Sequence, residues 1–135
     1  MRVLVADDHE SVRKGLGKIL ELRGDVETFA EASDGEEAIS MMREVNPDLV
    51  ILDLSMPRCT GFEAAQKIRE LSPNRPILFF SIHETPELIA HAEKIGVLGF
   101  IRKTDPAATV LKAVDAALRK ITSYPTRYKR APLLE

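Results

Sequence analysis

Three aspartates, a serine and a lysine stand where apolar runs break off. Asp7 and Asp8 follow the run at residues 3–6, Asp53 follows "LVIL", Ser81 follows "ILFF", and Lys103 stands just after "GFI". Taken singly, each residue type has an ordinary role: Asp caps turns, Ser makes local hydrogen bonds, Lys is solvated. Taken together they suit one kind of chemistry. Three carboxylates crowded within several ångströms repel one another, at a cost on the order of 1 kcal/mol per pair even at high effective dielectric. A hard divalent cation relieves that repulsion, and Mg2+ typically takes one or two carboxylates while keeping several waters. Such an ion, with the Lys103 ammonium beside it, neutralises charge on a transferring phosphoryl group, and the Ser81 hydroxyl can bond a phosphoryl oxygen. A carboxylate is a competent nucleophile that forms an acyl phosphate, and Asp53 is the central candidate.

For those side chains to meet, the elements carrying them must end at one edge. Apolar stretches at residues 3–6, 26–32, 49–52, 77–80 and 99–101 predict five strands. Continuous apolar runs fit strands buried on both faces, as in a parallel sheet covered by helices. "VETFAEA" alternates more, which predicts an edge strand with one wet face. Between the strands lie segments of 3.6-residue periodicity, marked by Val12, Leu16 and Leu20, by Ala38, Ile39 and Met42, by Phe62, Ala65 and Ile68, by Leu88, Ile89 and Ala92, and by Val110, Val114 and Leu118. Asn46-Pro47, Ser72-Pro73 and Gly96 predict helix stops. Asp105-Pro106 predicts the start of the fifth helix, with Asp105 as N-cap and Pro106 in the first turn. The alternation predicts an α/β (βα)5 doubly wound sheet, whose ligands bind at the carboxyl ends of its strands.

Composition limits the alternatives. The chain has 135 residues, enough for one domain with a core. Its 44% hydrophobic and 30% charged residues match an ordinary globular protein, and a net charge of -2 does not suit a surface that is basic all over. No apolar run reaches the roughly 20 residues of a membrane span, and no signal-peptide pattern opens the chain. The single cysteine, Cys59, excludes an internal disulfide, and a cytoplasmic setting is expected.

The ordered set "ADDH" at 6–9, "DLVILDLSMPRCTGFE" at 48–63, "ILFFS" at 77–81 and "GFIRK" at 99–103 resembles the receiver domains of two-component response regulators. The resemblance covers residues 1–121 and leaves 122–135 as a linker or tail. "ADDH" and "RKTDPA" further resemble the LuxR/NarL-type subgroup, whose receivers precede a helix-turn-helix DNA-binding domain. The resemblance implies a flavodoxin-like, five-stranded parallel sheet of order 2-1-3-4-5. It implies that Asp53 takes phosphate from the phosphohistidine of a sensor histidine kinase. It assigns Mg2+ to Asp8, Asp53 and the backbone carbonyl of Ser55, with Asp7 acting through water. Lys103 would pair with the phosphoryl group, Ser81 would move toward it, and Phe100 would swing inward. The output face would be the fourth helix, fifth strand and fifth helix, or the first and fifth helices; either suits a homodimer. DNA would be reached only through a C-terminal domain that this chain does not contain. Chemistry would be limited to self-phosphorylation and autodephosphorylation.

Some residues depart from the pattern or read two ways. Phe100 stands where the family often has Tyr, so burial without a hydroxyl bond is all it gains. Ile82 stands where a small residue is common, and its bulk is expected to restrict access to Asp53. His83 reads as a solvated loop residue. His9 is a poor ligand for a hard cation. Pro57 and Gly61 suit a tight loop, and Cys59 reads as an unreactive thiol with only Arg58 to lower its pKa. Tyr124, Arg127, Tyr128, Lys129 and Arg130 read as a solvated linker rather than a nucleic-acid patch. Three other functions make different demands on the sequence. An aspartyl phosphatase would need a second Asp where Ser55 stands. A flavodoxin-like cofactor binder would need a phosphate loop in place of "DDHE". A degenerate receiver serving as a phosphorylation-independent interaction domain is the remaining alternative.

Overall fold

A computed structural model describes residues 1–124 of the chain. The elements are β1 (Arg2–Ala6), α1 (Glu10–Glu21), β2 (Thr28–Ala32), α2 (Gly35–Val45), β3 (Leu49–Asp53), α3 (Gly61–Leu71), β4 (Ile77–Ser81), α4 (Pro86–Ile95), β5 (Gly99–Arg102) and α5 (Ala107–Leu118). The five strands form one parallel sheet in the order β2-β1-β3-β4-β5, the expected topology. The strand residues bury opposite faces in turn. Leu4, Val50, Leu52, Ile77 and Phe79 join the core under α2, α3 and α4. Val3, Val5, Leu49, Ile51, Leu78 and Phe80 join the core under α1 and α5. Two-sided burial explains why the central strands read as continuous apolar runs.

Local chemistry sets the helix starts. Asp34 caps α2 by accepting the Glu37 N–H at 2.8 Å. Thr60 and Glu63 form a reciprocal capping box at α3, with bonds of 3.2 and 3.0 Å. Thr85 caps α4 ahead of Pro86, and Gly96 ends that helix at φ 91°, where a residue without Cβ is unstrained.

Three expectations need correction. The N-cap of α5 is Pro106, not Asp105, and the helix begins at Ala107. The Asp105 carboxylate instead accepts the Arg102 N–H at 2.9 Å and lies 3.3 Å from that residue's Nε. β2 begins at Thr28 rather than Val26, and it is an edge strand without a clean wet face. Its Glu31 is drawn into ion pairs with Arg13 at 3.0 Å and Lys14 at 2.6 Å on α1. Finally, Ser123 bridges to Gly99 and Tyr124 packs against the core, so a boundary at residue 121 separates docked residues from the domain they dock on. The cluster of Arg127, Tyr128, Lys129 and Arg130 lies outside the described residues.

Candidate functional site

Asp53 and Ser81 are the last residues of β3 and β4, and β5 runs one residue short of Lys103. The parallel register that pairs Asp53 with Phe80 and Ser81 with Arg102 therefore delivers these side chains to one edge of the sheet. β1 delivers Asp7 to the same edge, where its N–H donates to Ala32 of β2 at 3.0 Å.

Lys103 is the hub. Its Nζ lies 2.7 Å from Asp7 Oδ2 and 3.4 Å from Asp53 Oδ2. The ammonium also sits over the Phe80 ring, 5.9 Å from the centroid. Its backbone N–H donates to the Ser81 carbonyl at 2.9 Å, which fixes the start of the lysine side chain beside β4. Asp7 is fully buried and Asp53 is 4% exposed, so these charges interact in a poorly hydrated setting. Burial, and then the charge of Asp7, push the Asp53 carboxyl above the usual carboxylate range; Lys103 and the Ser55 N–H oppose that shift.

Asp8 is exposed and joins the group through His9, whose Nδ1 lies 3.3 Å from Asp7 Oδ1 and 3.2 Å from Asp8 Oδ1. Potential ligand atoms of Asp7, Asp8 and His9 all lie within 4.8 Å of one another. The Ser55 N–H reaches Asp53 Oδ1 at 3.4 Å, which brings the expected loop residue beside the acceptor. Ser81 is buried, and its hydroxyl accepts the His83 N–H at 3.0 Å. Ile82 projects outward at 68% exposure, and His83 is exposed. Phe100 is already buried, with its ring edge-on to Phe79 at 6.2 Å.

The donor set suits a hard cation. It is dominated by carboxylate oxygens, and the buried Asp7 Oδ2 faces the Lys103 ammonium without a well-aligned hydrogen bond. A small oxygen-seeking ion such as Mg2+ answers both features.

Several residues that shape the site escaped the sequence reading. Arg13 donates from Nη1 to the Asp7 carbonyl at 2.7 Å and so holds the acidic turn against α1. Arg58 adopts φ 65° and sends its guanidinium to Asp34, the cap of α2, with Nε at 3.1 Å. That pair ties the loop after Asp53 to the neighbouring helix and engages with Asp34 the guanidinium that stands next to Cys59 in the chain. Burial, and then the charges of Glu63, Glu36 and Asp34, push the Cys59 thiol up. Glu84 and Arg102 pair at 3.3 Å across the loop after β4. Arg58 and Glu84 meet partners distant in sequence that only the folded loops bring close, whereas Arg13 reaches back six residues from α1. Gly61 is set by close approach rather than by a turn: a Cβ there would meet the Asp53 carbonyl oxygen and come within 2.8 Å of Leu54 Cα.

The response regulator receiver domain family model matches residues 3–115. The transcriptional regulatory protein LiaR of Bacillus subtilis (strain 168) is 40% identical over 118 residues, covering 87% of this chain and 56% of LiaR. A LuxR-family two-component response regulator from Aurantimonas sp. SI85-9A1 superposes with a TM-score of 0.88 at 31% identity, covering 94% of this chain and 91% of that one. A chain of the CheX–CheY–BeF3–Mg2+ complex from Borrelia burgdorferi superposes with a TM-score of 0.81 at 30% identity, covering 86% of this chain and 87% of that one. The chain spans about half the length of the curated relatives it matches.

Proposed function

The chain belongs to the response regulator receiver domain family, and on that premise we propose that it is a phosphoryl-accepting switch with Asp53 as the acceptor. One observation carries this reading: Lys103 Nζ stands between the buried carboxylates of Asp7 and Asp53, at 2.7 and 3.4 Å. A lysine so placed compensates the acceptor's charge before transfer and the phosphoryl group's charge afterwards.

An Asp53 Oδ attacks the phosphorus of a phosphohistidine on a sensor kinase. The P–O bond forms, the P–N bond breaks, and the departing imidazole keeps the electron pair and takes a proton from solvent. Asp7, Asp8, Asp53 and the Ser55 carbonyl are the groups that would hold Mg2+. When bound, that ion neutralises charge on the phosphoryl oxygens. The magnesium and beryllofluoride in the name of the Borrelia burgdorferi complex are consistent with this assignment for a relative. Lys103 moves from its two carboxylates toward the phosphoryl oxygen. Ser81 gives up the His83 N–H and bonds another. Phe100 then adjusts its packing, and the populations of a resting and an active form shift.

The whole protein reaches DNA through a C-terminal domain, with a homodimer and a histidine kinase as its partners. Among the described residues no helix is long and apolar enough to cross a membrane.

Incubation with Mg2+ and acetyl phosphate or a phosphorylated kinase, followed by intact mass analysis, tests the reading. One acid-stable, base-labile phosphoryl adduct is expected in the wild-type chain and none in Asp53→Asn. An undiminished adduct in that variant refutes the assignment. In the same assay, Ile82→Ala is expected to accept acetyl phosphate faster if side-chain bulk at this exposed position restricts access to Asp53; an unchanged rate removes that role.

A further inference from the structure

α5 ends at Leu118, but the chain does not leave the domain there. Lys120 turns through φ 58°, a left-handed conformation that a lysine holds only when its surroundings impose it. The turn is fixed by the Lys120 N–H on the Ala117 carbonyl at 2.9 Å and the Ile121 N–H on the Ala116 carbonyl at 2.7 Å. The chain then runs along the edge of the sheet. Ser123 forms a parallel bridge to Gly99, and its N–H donates to the Leu98 carbonyl at 2.8 Å. The Tyr124 hydroxyl donates to the Val97 carbonyl, just beyond α4, and its ring packs against the cluster that contains Val97, Ala92 and Phe100. Gly99 makes this approach possible, because a Cβ there would run into Ser123 Oγ and come within 2.8 Å of Leu78 Cδ2. Phe100 and Tyr124 are both walls of one cavity of about 690 Å³ between β5, α5 and this segment.

We propose that residues 121–124 are a strap that locks the α4–β5 edge in its resting arrangement and is released when Asp53 is phosphorylated. This rests on the reading of Asp53 as phosphoacceptor. The strap bonds two adjacent carbonyls of the loop that joins α4 to β5, those of Val97 and Leu98, and it leans on the same core as Phe100. A repacking of Phe100 alters the cavity wall and the core surface on which Tyr124 rests, so the strap's seat exists in only one of the two arrangements. A contact made in only one of two states biases the equilibrium toward that state by its full strength. The docked strap therefore holds the switch off.

The test uses the full 135-residue chain, with beryllofluoride and Mg2+ as the phosphoryl mimic and amide hydrogen exchange read residue by residue. Beryllofluoride is expected to speed exchange of the Ser123 amide by about tenfold or more, which is the effect of breaking its bond to Leu98. Tyr124→Phe, which removes only the hydroxyl, is expected to speed the same exchange without ligand. It is also expected to tighten beryllofluoride binding about two- to tenfold, because more of the free protein is already competent. Binding at Asp53 with unchanged Ser123 exchange overturns the coupling alone, as does unchanged affinity in Tyr124→Phe. Failure of beryllofluoride to bind at Asp53 overturns the phosphoacceptor reading and the coupling with it.

Discussion

Asp53 is buried beside another carboxylate, and its ionised form is disfavoured in the fold even with Lys103 at hand. An acid whose folded pKa lies above its unfolded value favours folding below the unfolded pKa. That contribution is lost as pH rises through the folded value. At neutral pH in metal-free buffer, the Asp53 charge therefore works against folding. Asp53→Asn is expected to raise the melting temperature there by about 3–6 °C, the size of a ~1 kcal/mol change in a small domain. The gain should shrink as pH falls into the carboxylate range. Scanning calorimetry of both chains at several pH values checks this, and an equal or lower melting temperature for the variant at neutral pH contradicts it. Asp7, Asp53, Ser81 and Lys103 could be read from the sequence because each interrupts an apolar run, and an interrupted run marks a strand end. The Arg58–Asp34 and Glu84–Arg102 pairs could not, because they join loops and elements that meet only in the folded chain, and the Arg13 bond to the Asp7 carbonyl could not, because an arginine on a helix face carries no sign of which backbone oxygen it reaches.

Among the elements, the strands were readable because burial on both faces forces uninterrupted apolar sequence. The start of α5 was misplaced because Asp-Pro is a strong start signal, yet the Asp105 carboxylate is taken by Arg102. The packing of α3 on the end of β3 left only a glycine as its trace. Gly61 brings the first turn of α3 against the Asp53 backbone, where a methyl group meets the carbonyl oxygen and the Leu54 backbone. Neither can yield as a flexible side chain would. Gly61→Ala is expected to destabilise the domain by about 1–3 kcal/mol through overpacking, and to weaken Mg2+ binding by displacing the loop that carries Ser55. Urea unfolding and a Mg2+ titration check both effects; wild-type values in both would show that the helix accommodates the methyl group freely.

For the molecule as a whole, the topology determines what can act together. The order β2-β1-β3-β4-β5 sets β3 between β1 and β4, so Asp7, Asp53 and Ser81 arrive from adjacent strands, and Lys103 follows β5, the next strand along. Periodicity and apolar runs indicated alternation but not this order, which came from the resemblance of the motifs. The docked residues Ser123 and Tyr124 were hidden for a related reason: a stretch rich in Pro and basic residues reads as linker, whatever its first residues touch. If the acidic edge holds a cation only when folded, Mg2+ must stabilise the domain through mass action, by about 2.7 kcal/mol at 100 times its dissociation constant. The melting temperature is expected to rise with Mg2+, and less so in Asp8→Ala; a rise that is identical in both chains places the ion elsewhere.

The phosphoacceptor assignment is tested most directly by trapping the acyl phosphate. Borohydride reduces a phosphorylated aspartate to homoserine, which peptide mass spectrometry locates residue by residue. After treatment with Mg2+ and a phosphodonor, homoserine is expected at position 53 and to disappear when the metal is chelated. Homoserine at position 7 or 8 with Asp53 unmodified would contradict the assignment.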